Sequence, residues 1–196
     1  METMSVFEKG RPGRWPAGPA SGSPSLSADQ LSAEQFRTAF RHHAAGVAVI
    51  TAEAGDGPVG FTATSVFSVS VEPPLLVFSI SDQTSSAPTI RRADTVVVHL
   101  LAPAQLPIAE LCATSGTDRF ADDDLWDRLP TGEPYFPSAQ SWIHGRIIER
   151  MSAGSSTIVA VRALGVKTPT EPASSEPLVY HNRSWHSLGE HSKLAH

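Results

Sequence analysis

A single cysteine, Cys112, occurs in 196 residues. One thiol forms no internal disulfide and cannot build a zinc site from several cysteines. Positive charge is scarce as well: 15 Lys and Arg stand against 20 Asp and Glu, a formal net charge of −5. A chain of that balance has no basic surface to drive nucleic-acid binding. No apolar run approaches the ~20 residues that a membrane-spanning helix needs. The first 30 residues mix charge with Pro, Gly and Ser and hold no apolar core of the signal-peptide kind. A cytoplasmic protein with no membrane partner is therefore the expectation. The motifs HExxH and GxSxG are absent, which leaves metalloprotease and esterase readings without support.

What is present is a globular composition, 40% hydrophobic and 18% charged, in a length suited to one domain. Residues 1–28 carry Pro12, Pro16, Pro19 and Pro24 among Gly and Ser and read as a mobile arm. Residues 29–189 form the domain and 190–196 a short tail. Ser32 with Gln35 three residues on is a capping box, so a helix should start there, place Phe36 and Phe40 on one face, and run to Gly46. Strands are expected at 46–54, at 59–71 with a bend near Thr64 and Ser65, at Leu75–Ser81, and at 95–101. Short helices are expected at 84–93 and at 104–113, the latter with Pro107 in its first turn. Further strands follow at 141–151 and 157–167, and a last hairpin turns at Asn182-Arg183. Helices do not alternate regularly with strands, which disfavours a parallel doubly wound sheet. A closed or half-closed antiparallel barrel with peripheral short helices fits better.

The string Gly55-Asp56-Gly57-Pro58-Val59-Gly60 matches GxGxxG, with Asp82 further on. A dinucleotide fingerprint needs a helix to start inside the glycine run. Pro58 and the β-branched residues after Gly60 forbid one, so the string reads as a hairpin turn. Ser85 or Ser86 followed by Pro88 reads as a capped helix start, whose free N–H groups and hydroxyls suit a phosphate. Gly60–Ser65 combines small and hydroxyl-bearing side chains, which lets a flat ring approach the backbone. His181, His186, His191 and His196 recur every five residues, a spacing that puts them on different faces of helix or strand. No metal ligand set is assigned, and His99 and His144 read as satisfied strand residues.

The run Gly60–Ser70 (GFTATSVFSVS), followed by Glu72-Pro73-Pro74-Leu75-Leu76-Val77-Phe78, resembles the flavin reductase-like family. The likeness extends over residues 36–188 and includes Gly46–Thr51, Val96–Leu101, Asp118-Arg119-Phe120-Ala121 and Pro177–Tyr180. It implies a mainly β fold, an FMN-binding split β-barrel of antiparallel Greek-key type. It also implies a homodimer, with hydride passing from NAD(P)H to FMN or FAD, and a partner monooxygenase that takes the reduced flavin. By position, Pro58, Val59, Gly60, Phe61, Thr62, Thr64 and Ser65 would line the ring and ribityl chain. Ser79, Ile80 and Ser81 would continue that wall, and Ser85 and Ser86 would hold the phosphate. No catalytic side chain is assigned, because the cofactor carries the chemistry. The chain departs from the family in three places. It has Gly154-Ser155-Ser156 for the frequent Gly-Asp-His, Leu111-Cys112 for the frequent Arg-Phe, and His99 for a common Asn. The alternative is a split-barrel protein that binds flavin or another cofactor without nicotinamide-dependent reduction.

Overall fold

The computed structural model describes residues 31–169 and 176–194. The proline-rich arm over 1–28, with Trp15, lies outside the described residues. The elements in chain order are α1 (Ala33–Arg41), β1 (Ala45–Gly46), β2 (Ala48–Glu53), β3 (Pro58–Ala63), β4 (Phe67–Ser70) and β5 (Leu75–Ser81). Then come α2 (Ala87–Arg92), β6 (Thr95–Leu100), α3 (Leu106–Ala113), β7 (Asp127–Arg128) and β8 (Pro134–Tyr135). β9 (Ser141–Ala153), β10 (Ser156–Lys167), β11 (Leu178–His181) and β12 (Ser184–Ser187) complete the series.

Local chemistry accounts for most of these bounds. Ser32 Oγ accepts the Gln35 N–H, and the Gln35 side chain accepts the Ser32 N–H, so α1 starts on a complete capping box. It stops at Arg41, short of Gly46, which is instead paired in β1. Gly55 and Gly57 have φ of +88° and +93°, the left-handed conformation that the β2–β3 turn requires. The helix expected over 84–93 begins only at Ala87, because residues 82–86 form a turn in which Ala87 N–H donates to Thr84 O. Pro107 sits in the first turn of α3, where its missing N–H costs nothing.

Seven strands form one antiparallel sheet in the order β3-β2-β6-β9-β10-β5-β4. β1, β11 and β12 form a separate three-stranded sheet. The large sheet curls without closing. At the bend after β3, Ser65 Oγ donates to Ser79 O and accepts from Ser79 N–H, both at 3.1 Å, so the free end of β3 meets β5. No ladder joins β3 to β5 or β4 among the described residues. The fold is thus a half-open split barrel.

Two cores sit on the two faces of the sheet. Ile50, Phe61, Phe78, Val96, Val98 and Val161 fill the inside of the curl, and α2 closes it with Ile90. Val47, Val49, Ile108, Cys112, Phe120 and Phe136 pack between the sheet and α3. This explains why β2 is buried at five successive positions and does not alternate: α3 covers its outer face. α1 buries none of its residues, and Phe36 and Phe40 remain exposed despite their spacing.

Gly145 on β9 lets β10 cross closely. A Cβ there would stand 2.3 Å from Val161 Cγ1 and 3.0 Å from Arg162 O. Gly145→Ala should destabilise the fold by about 1–3 kcal/mol, as overpacking does. A urea midpoint within error of the wild type would contradict this packing.

Candidate active site

Position Gly60 draws four elements together. Its carbonyl accepts the Ser86 hydroxyl at 3.1 Å. A Cβ built on it would touch Phe120 Cζ at 3.4 Å, Thr51 Cγ2 at 3.5 Å and Cys112 Sγ at 3.6 Å. Two residues on, Thr62 Oγ1 donates to Ala109 O at 2.6 Å and clips β3 to α3. The β5–α2 turn is held by Asp82. Its carboxylate accepts from Thr157 Oγ1 at 2.9 Å and pairs with Arg91 at 2.6 Å, and its N–H donates to Ser155 O. Those bonds from Arg91 and Thr157 hold the Asp82 carboxyl below its ordinary pKa.

Between β3, this turn and the end of α3 lies a cavity of about 470 Å³. Phe61 and Thr62 form one wall, and Ser81, Gln83, Thr84 and Ser85 a second. Cys112, Ala113, Ser115, Gly116 and Arg119 form the third. Hydroxyls from both loops therefore face a single cation. Arg119 Nε donates to Cys112 O at 3.2 Å and one Nη to Thr114 O at 2.9 Å. No carboxylate pairs with Arg119 among the described residues, so its charge is available to an anion. Hydroxyls and an uncompensated guanidinium in one concavity are the donor set that a phosphate monoester needs. Burial pushes the Cys112 thiol up to about 12, against a smaller opposing pull from Arg119. It is an inert part of the wall at neutral pH.

Of the positions singled out from sequence, Phe61, Thr62, Ser81 and Ser85 line this cavity. Thr64 and Ser65 line a neighbouring groove against α1 and the β11–β12 hairpin. Pro58, Val59, Gly60, Ser79, Ile80 and Ser86 line neither. Ile80 is core, and the Ser79 backbone is taken up by Ser65. Ser86 does precede α2, but its side chain makes no capping bond and is 1% exposed. Its hydroxyl anchors the turn to Gly60. α2 itself has only six residues, too short for a substantial dipole. Arg119 carries no site assignment from sequence, although it stands in the Asp118-Arg119-Phe120-Ala121 string of the resemblance. The cue was the string together with Gly116, whose φ of +75° turns the chain back towards β3.

A buried histidine positions the Arg119 loop. His99 on β6 is fully buried, with Nδ1 2.9 Å from Val49 O, and its Nε2 accepts the Phe136 N–H at 3.1 Å. That pattern assigns the proton to Nδ1 of a neutral ring. Phe136 stacks on Phe120 at 5.8 Å and 17°, and Phe120 meets Trp126 edge-on at 5.1 Å. Trp126 Nε1 closes the loop onto Phe120 O. His144 is satisfied too, on Glu133 at 3.0 Å. Burial would raise the Glu133 carboxyl, but bonds from Thr131, Thr95 and its own backbone, with the nearby His144, bring it down to about 2.

Comparison with known proteins follows the same lines. The family described as flavin reductase like domain matches residues 40–189. An NADH:FMN oxidoreductase of Rhodococcus qingshengii is 39% identical over 167 residues, 85% of this chain and 86% of that protein. The crystal structure of a flavin reductase domain protein from Arthrobacter sp. FB24 superposes with a TM-score of 0.76 at 31% identity, covering 83% of this chain and 98% of that one. BorF, the flavin reductase component of a bacterial two-component tryptophan halogenase, gives a TM-score of 0.72 at 26% identity, covering 81% and 99%.

Desolvation lowers the His99 pKa from 6.5 to about 4, only partly offset by its bond to Val49. The neutral ring's contribution is complete above 6.5 and is lost as pH falls towards 4, on the order of 3 kcal/mol in all. His99→Asn should show a shallower fall of unfolding free energy than the wild type between pH 6.5 and 4. Parallel curves in that window would refute this role for His99.

Proposed function

The chain belongs to the flavin reductase-like family, and from that premise we propose that it transfers hydride from NADH or NADPH to FMN or FAD. The observation that carries the reading is the cavity at Arg119, where hydroxyl-bearing loops meet, beside β3, a guanidinium that no carboxylate pairs with among the described residues. A bound flavin supplies the hydride-accepting centre. Arg119, Ser85 and Ser115 would hold its phosphate. Thr62 would line the ribityl chain, and Thr64 and Ser65 in the adjoining groove would meet the ring. Gly60 and Ser86 would brace these walls through their mutual bond, Ser79 through Ser65, and Ile80 from the core.

The protein's own work is binding and orientation. Phe61, packed against Phe78 with centroids 6.0 Å apart, keeps β3 rigid behind the ring path. Backbone N–H groups of a strand end favour negative charge that develops on a ring edge. No acid or base is needed at the reacting atoms, in keeping with a lining that holds no carboxylate or imidazole among the described residues and a thiol that stays protonated. Ser156 stands where the resemblance would place an imidazole, and in this reading the coenzyme is held by other groups.

The acceptor of reduced flavin is a partner monooxygenase or halogenase of the kind that BorF serves. The protein is a homodimer in this reading. β4 is an edge strand of the large sheet, with Phe67 61% and Val69 55% exposed, and Val71 just beyond it is 87% exposed. Apolar side chains exposed along a sheet edge favour contact with another chain.

Two measurements test the proposal. Flavin bound to the protein should bleach on anaerobic mixing with NADH or NADPH faster than free flavin does, and equal rates would favour a carrier without reductase activity. Arg119→Gln should weaken FMN binding about tenfold, the loss expected for a charge-assisted bond, and leave riboflavin binding nearly unchanged. Equal effects on the two ligands would take the phosphate away from Arg119.

A further inference from the structure

The groove beyond Thr64 and Ser65 has a volume of about 730 Å³ and a lining that one flavin does not explain. Two stripes of α1 face it. Phe36 and Phe40 make one, and Arg37 and Arg41 the other, each pair four residues apart and so on a common side of the helix. Across the groove stand Tyr180 and Arg183 of the β11–β12 hairpin. The two sides are tied, since Asn182 N–H donates to Arg41 O at 2.9 Å. Asn182 and Arg183 have φ of 47° and 65°, the tight two-residue turn that sets Arg183 at the hairpin tip.

The charge in this groove runs against that of the molecule. Among the described residues, no Asp or Glu lines it. Arg37, Arg41 and Arg183 have no carboxylate partner among the described residues. Yet the whole chain carries −5. One unpaired arginine is an ordinary solvated side chain. Three around a concavity repel one another until an anion sits between them.

We propose that Arg37, Arg41 and Arg183 bind the diphosphate of the nicotinamide coenzyme. The proposal rests on the reductase reading and extends it. In that reading the flavin phosphate is matched by Arg119 in the other cavity. The second reactant brings a second anionic group, and the groove offers a second set of cations. Guanidinium forks match phosphate oxygens in pairs. Phe40 and Tyr180 give apolar faces for the flat bases on either side of the diphosphate. Thr64 and Ser65 lie in the same groove, so a coenzyme anchored there reaches the end of the flavin path.

The test is steady-state kinetics of the full-length protein with NADH as donor and FMN as acceptor. Arg37→Gln, Arg41→Gln, Arg183→Gln and the triple variant are compared with the wild type. Arg146→Gln, an exposed cation on β9 outside both cavities, is the matched control. Each groove substitution should raise the KM for NADH about five- to tenfold, as loss of a part-exposed charge-assisted bond does. The KM for FMN and kcat should stay within about twofold, and the rise of KM with salt should flatten in the triple variant. An unchanged KM for NADH in an active triple variant overturns the proposal and leaves the reductase reading standing. A rise in the KM for FMN instead gives the groove to the flavin and also overturns it. So does a change in sedimentation velocity without a change in KM, which assigns the groove to contact between copies. A wild-type protein that does not reduce FMN with NADH removes the reductase reading, and this subsite with it.

Discussion

A Cβ at Gly60 would stand in van der Waals reach of Phe120, Cys112 and Thr51, and the Gly60 carbonyl holds the Ser86 hydroxyl. These contacts come from the Arg119 loop, from α3, from β2 and from the β5–α2 turn. The cavity exists because those elements converge on one strand without filling the space beside it. A larger side chain at Gly60 would push Phe120 outward and carry the Arg119 loop with it. His99 secures the same loop from below through Phe136, so a buried, neutral imidazole on one strand governs where a surface cation stands. The polar groups that do this work are satisfied inside the protein, which keeps them from costing stability.

Much of the fold was legible because its signals are local. The capping box at Ser32 and Gln35 is a pair of bonds between near neighbours, and the structure contains both. Pro73 and Pro74 end the strand before them, and β5 runs over Leu75–Ser81 as its unbroken apolar pattern implies. The bend at Thr64 and Ser65 follows from a run too long for one strand. The barrel was expected to be closed or half-closed. It is half-open, and what joins its free ends is a side-chain bond from Ser65 to Ser79, which no strand pattern encodes.

The site was legible in part, and the division has a physical cause. Residue type and spacing brought β3 and the β5–α2 turn together, and both do face one cavity. They could not tell which of two adjacent serines turns outward. Ser85 does, while Ser86 is spent on Gly60, a choice made by a contact 26 positions away in sequence. Arg119 is not legible as a ligand because its place depends on the stacking of Phe120 on Phe136, and so on His99. Phe36 and Phe40 of α1 show the reverse case. Their spacing signals an apolar face, but the face meets solvent and a groove instead of the core.

A crystal structure of the protein with FMN tests the central claim most directly. The account predicts the phosphate in the cavity between β3, the β5–α2 turn and the end of α3, within hydrogen-bond reach of Arg119 and Ser85. A phosphate seated among Arg37, Arg41 and Arg183, or a flavin bound away from β3, would contradict it.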